Sequence, residues 1–374
     1  AAEHAQGREH RLHSGTLSTP AEVEKAKRRE TFTLAAAIAF GEHLDEPVER
    51  ILAAADQPKV PTRVRAGDVA HLRCAIETLT ARDSRAGGGA VRHDALAALR
   101  WATALRQSSC TPAVRHELAV LTAKLADLAA WVTFDCGYHL AAQQLSLLGL
   151  QAAREADDLG MRAWIASGLA RQEIYLGHWP AGLELTQLAF TASDALTPNA
   201  LADLHTVKAL AYARKQDTAA CLRCLGLATD TYRPDSISDE PIWLLDFTPA
   251  RFERNLAFTR YYLLLGNADV SDRAGHRTAL IESFSRAFRQ YPPDAALNKA
   301  IIATRLATLL YQEGEQHTAH QTAEDVIALA GQVRSALLAD DLRVLLGALR
   351  AGQSTDGDAR DLRHRLSTVL TDLT

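Results

Sequence analysis

A recurring pair of offsets behind its turns constrains this chain more than any other feature. Gly137 is followed five residues later by Ala142 and twelve later by Gly149, and Gly177 is followed at the same offsets by Gly182 and Ala189. Gln216 is followed by Cys221 and Ala228; Gly314 keeps the first offset with Ala319 but has Val326 at the second. The turn position needs a residue that tolerates unusual backbone angles. The offset positions need small side chains because two helix backbones cross there. The chain is therefore read as paired helices repeated along its length.

Apolar residues recur at helical spacing throughout. Leu118, Leu121, Leu125, Leu128 and Val132 lie on one face, and Ala141, Leu145, Leu148 and Ala152 form the next stripe. Ile165, Leu169 and Leu176 follow with Gln172 among them, then Phe252, Leu256 and Leu263, and finally Leu338, Leu342, Leu345 and Leu349. No stretch alternates with period two over strand length. The expected fold is all-α, a tetratricopeptide-like helical-repeat array (an α-solenoid) of antiparallel helix pairs. The first steps between units, 40 and 39 residues, exceed the roughly 34 of the ordinary tetratricopeptide repeat, so longer helices or turns are expected. Stacked repeats of this kind leave a concave face on which ligands bind.

Three parts are expected. Residues 1–30 read as a polar tail carrying His4, His10 and His13. Residues 31–60 read as a short helix with a Pro-containing connection, and 61–374 as the repeat domain with an irregular segment near 232–250. The apolar run Phe32 to Phe40 is too short to span a membrane and reads as a short buried helix, not as a secretion signal. A formal charge of −4 and a pI near 6.4 leave no basic stripe, so no direct contact of this chain with nucleic acid is expected. The five cysteines are odd in number and scattered, which fits a reducing cytoplasm.

The templates for catalysis and metal binding find no match: there is no phosphate loop, dinucleotide fingerprint or zinc-type His pair. Neither an enzymatic role nor a cofactor or metal is expected. Gly87-Gly88-Gly89 reads as a flexible inter-helix turn, with an anion cradle as its alternative. Cys221-x-x-Cys224 falls on a helix where the repeat wants a small residue, and so reads as packing before redox chemistry.

Aromatic residues with polar neighbours supply the candidate groove. The expected ligand-binding residues are Trp131, Asp135, Tyr175, Trp243 and Arg254, with Arg251 and His205 behind them. If Trp243 lines the groove, its replacement by Ala abolishes binding and spares the fold; if it is core, the fold is lost.

Four marks in order carry a resemblance: Asp83-x-x-x-Gly87-Gly88-Gly89; Ala129-Ala130-Trp131-x-x-Phe134-Asp135-x-Gly137 with Ala141-Ala142; Tyr175-Leu176-Gly177; and Pro241-Ile242-Trp243 with Asp246. Over roughly residues 25 to 350 the chain resembles the C-terminal helical-repeat region of bacterial Xre-type (lambda-repressor-like) helix-turn-helix transcriptional regulators. Lys27-Arg28-Arg29 resembles that family's junction after its DNA-binding domain, a domain expected to lie outside this chain. The resemblance implies a sensor: a small-molecule or peptide effector enters the concave face and changes how the repeats pack or form a homodimer. The alternatives are a protein–protein interaction scaffold and, third, a helical-repeat biosynthetic enzyme.

Overall fold

The computed structural model describes residues 60–235, 240–266, 271–351 and 357–373. The tail expected over 1–30, its histidines and the short helix expected to about Ala55 lie outside the described residues. Fourteen α-helices and no strand occur among the described residues. They are α1 (Ala66–Ala86), α2 (Gly88–Leu105), α3 (Pro112–Asp135), α4 (His139–Glu155), α5 (Leu159–Tyr175) and α6 (Trp179–Phe190). Then come α7 (Pro198–Lys215), α8 (Thr218–Thr231), α9 (Pro249–Gly266), α10 (Arg273–Gln290), α11 (Ala296–Gln312), α12 (Gln316–Ala330), α13 (Ala336–Ala351) and α14 (Gly357–Leu373). Each odd-numbered helix packs on its even-numbered successor. The all-α expectation holds, and the pairing is that of a helical repeat.

The recurring offsets have the expected cause. Gly137, Gly177, Gln216 and Gly314 all have positive φ, between 66° and 88°, where glycine carries no steric penalty. The same two backbone bonds close each turn. Gly177 N–H donates to Ile174 C=O and His178 N–H to Glu173 C=O, and the other three turns repeat the pattern, which is the Schellman arrangement. At the first offset the helices do approach closely: a Cβ added to Gly182 would collide with the Ile174 side chain and lie 3.2 Å from Ala170 C=O. Cys221 occupies the equivalent position in α8 with no exposed surface. Burial pushes its thiol up to about 12, as expected of a packing cysteine. Side-chain caps start several helices: Thr111 before Pro112, Asp158, Thr197 before Pro198, and Asp217 each accept from a first-turn amide.

The odd-numbered helices form an inner row in which α3, α5, α7, α9 and α11 are successive neighbours. The first helix decides the topology, because α1 packs against both α3 and α11 and closes the row into a circuit. The concave side is thereby a bounded cavity.

The joint that closes the circuit explains the triple glycine. A Cβ on Gly87 would lie 2.5 Å from Arg334 C=O, one on Gly88 2.5 Å from Val132 C=O, and one on Gly89 2.7 Å from Arg334 Cβ. Arg334 N–H donates to Ala86 C=O at 2.7 Å and Gly89 N–H to Arg334 C=O at 3.0 Å. The turn is thus a tightly packed elbow and not the flexible connection read from the sequence. Its anion-cradle alternative is met from within the chain, since Gly88 N–H, at the start of α2, donates to Asp135 Oδ2 at 2.8 Å.

Candidate functional site

The cavity between the inner helices, partly open to solvent, has a volume of about 740 Å³, within the range that holds small-molecule ligands. Its wall is unusually ionic for an interior. Lys124 and Asp127 come from α3, Arg171 from α5, Asp203 from α7, Arg251 and Arg254 from α9, Arg305 from α11 and Asp83 from α1.

Most of these charges are matched. Arg171 Nη2 donates to both carboxylate oxygens of Asp203 at 2.8 and 2.9 Å, and Asn255 Nδ2 also donates to Asp203 at 2.9 Å. Arg305 Nε donates to Asp341 at 2.8 Å. The Arg305 guanidinium stands 3.9 Å from the Phe258 ring centre, with Tyr262 at 5.2 Å and Tyr175 at 5.8 Å, a cation held among aromatic faces. Lys124, only 2% exposed, donates to Trp243 C=O at 3.1 Å and lies 3.4 Å from both Asp127 and Asp246. This lysine pins the irregular segment to α3. Arg251 pairs with Asp246 and lies over Trp164. Burial alone would raise the Asp246 carboxyl, but Arg251 and Lys124 outweigh it and hold the group well below the ordinary range.

Asp83 and Arg254 have no ion-pair partner among the described residues, in contrast to these pairs. Asp83 Oδ1 has no hydrogen-bond partner. Burial pushes its carboxyl up to about 8, the Asp135 and Asp246 charges add to the rise, and Arg251 and Arg254 oppose it. Arg254 donates to Asn298 Oδ1 and, at 3.4 Å, to Asn255 Oδ1. Its Nε is unfilled, and burial lowers its pKa.

Of the residues expected from the sequence, the cavity brings together Trp131, Asp135, Tyr175, Arg251 and Arg254. Trp131 and Tyr175 meet with ring centres 6.5 Å apart. Asp135 is 1% exposed and fully engaged, accepting from Gly88 N–H, Ser335 Oγ and Leu337 N–H. It belongs to the closing joint as much as to the wall. Trp243 does not line the cavity. It is 3% exposed and packs against Trp164 behind the wall, with Gly160 leaving room for its ring. His205 is also elsewhere. It lies two residues after the cavity-lining Asp203, which on a helix is nearly the opposite face, and its ring packs on Phe190 at 5.0 Å.

Sequence reasoning missed Lys124, Asp127, Arg171, Asp203 and Arg305. The available signal was a charge set inside an apolar helical run: Lys124 between Ala123 and Leu125, and Arg305 within Ile301-Ile302-Ala303-Thr304-Arg305-Leu306-Ala307. Such placement is tolerated only where a partner or a cavity receives the charge. Comparison with protein-family models, with curated proteins and with solved structures gives no match.

Proposed function

We propose that this chain is the ligand-sensing part of a transcriptional regulator, a tetratricopeptide-like array that holds a small molecule or short peptide inside its ring. The observation that carries the reading is the incomplete pairing of the cavity wall. Asp83 and Arg254 line a space of ligand size, and among the described residues neither has an ion-pair partner, unlike Lys124, Arg171, Arg251 and Arg305. Buried charges are ordinarily paired, and an unpaired one beside a cavity is a candidate for a partner supplied by a ligand. The bounded, aromatic shape of the space favours a small ligand over a partner protein's surface.

The route of the signal is a short chain of hydrogen bonds. Arg254 donates to Asn298, and Asn298 Nδ2 donates to Ser84 Oγ at 2.8 Å, so the cavity wall is tied to α1 at the closing joint. A ligand that engages Arg254 competes with Asn298 and loosens or resets that tie. Sensing requires the ligand to prefer one arrangement of the joint, since equal affinity for both shifts nothing. An attached DNA-binding domain, or a second copy of the chain, would read the position of α1.

One observation favours catalysis instead: an acid held protonated near neutrality within a cavity is what a general acid requires, and Asp83 fits that description. Native mass spectrometry after incubation with a bacterial metabolite extract separates the readings. A stable adduct of small-molecule size supports sensing. An adduct that converts to a new mass with time, and stops converting in Asp83→Asn, establishes an enzyme. A folded sample that gains no mass and co-purifies with a protein moves the assignment to a scaffold.

A further inference from the structure

The chemistry of the wall narrows the ligand, on the premise that the cavity is a binding site. Among the described residues no carboxylate lies within ion-pair distance of Arg254, whereas Arg171, Arg251 and Arg305 each have one and Lys124 has two. The hydrogen-bond acceptors of Arg254 among the described residues are amide oxygens, and its guanidinium lies over the Phe258 ring. A guanidinium stays protonated in a protein, so Arg254 carries its charge without a counter-ion. Asp246 and Asp127, the two carboxylates beside Lys124, stand on the same wall. A single negative charge balances Arg254; a second would face these acids. Leu297, Ile301, Phe258 and Trp131 supply the apolar lining.

We infer that the cavity takes a small monocarboxylate with an apolar or aromatic body, its carboxylate held by the planar fork of Arg254 and its body against the apolar lining. The fork matches a carboxylate's two oxygens. The ligand's carboxylate supplies the counter-ion that the chain withholds, and it takes Arg254 away from Asn298.

Isothermal titration of the full chain with four aromatic probes tests the assignment: indole-3-acetate, its neutral amide, tryptamine and phenyl phosphate. Indole-3-acetate is expected to bind at least about tenfold more tightly than the amide, since a charge-assisted pair is at stake. Arg254→Gln should erase that preference and Arg254→Lys restore part of it, with melting temperatures near wild type in both. Equal or tighter binding of the amide or of tryptamine overturns the carboxylate while leaving the cavity a binding site. Tighter binding of phenyl phosphate overturns the single charge. A preference that survives in Arg254→Gln overturns the role of Arg254. If none of the probes binds and the metabolite extract adds no mass, both this assignment and the sensing reading fall.

Discussion

Asp135 and Asp83 are both carboxylates beside the same cavity, yet they are treated in opposite ways. At the closing joint, Asp135 collects Gly88 N–H at 2.8 Å, Ser335 Oγ at 2.6 Å and Leu337 N–H at 3.4 Å. On the wall, Asp83 Oδ1 collects nothing. The arginines divide in the same way, Arg171 gripping Asp203 while Arg254 has amide oxygens and the Phe258 ring but no carboxylate among the described residues. Polar groups satisfied within the chain hold the joint; on the proposed reading, the unpaired charges of the wall are where a ligand belongs.

The comparison can be broken by substitution. The largest loss is expected behind the wall. Trp243→Ala empties a core site and should cost about 3–5 kcal/mol in urea unfolding. A variant that keeps its stability and loses only ligand binding would return Trp243 to the groove. At the joint, Asp135→Ala strands three donors and should cost about 3 kcal/mol. It should also speed amide exchange in α1 and α13 together; protection lost in neither helix would remove the joint from the account.

Asp83 gives a test in pH. Its folded-state pKa, about 8, is raised above the ordinary 3.8, so its contribution to stability is fully present below about pH 4 and is lost as pH rises through about 8. Burial is the main cause of the rise, Asp135 and Asp246 add to it, and Arg251 and Arg254 oppose it. Asp83→Asn should flatten the stability profile across that window and gain on wild type at its alkaline end. Parallel profiles for the two proteins would show that Asp83 ionises normally.

The joint and the wall also differ in how far they could be read in advance. Helix pairing was legible because it rests on local rules: Gly137, Gly177 and Gln216 make left-handed turns, and Ala142, Gly182 and Cys221 sit at the crossings. Closure was not, because it joins residues some 200 apart in sequence, such as Asp135 with Ser335. Gly87-Gly88-Gly89 announced a close approach without naming Arg334 and Val132 as what approaches. In the site, the aromatic reading found Trp131 and Tyr175 but ranked Trp243 with them, since an indole lining a groove and one filling a core look alike in sequence. A histidine beside the apolar stripe of Leu204 and Val207 suits a core or a groove equally, so the sequence does not separate His205 from the cavity face that Asp203 occupies. The ion pairs were missed because a mid-helix lysine such as Lys124 shows its purpose only once Asp246 is folded against it.

The smallest expected effect is also the most telling, and it needs no ligand. Urea unfolding of Arg171→Met and Arg254→Met compares two arginines of one wall after the same replacement. Arg171→Met should lose about 3 kcal/mol, because Asp203 is left buried without its cation. Arg254→Met should be neutral or gain up to about 1 kcal/mol, because an unmatched charge is removed from a site kept open for function. Equal losses in the two variants would make Arg254 a structural residue and contradict the claim that the wall is kept incomplete for a ligand.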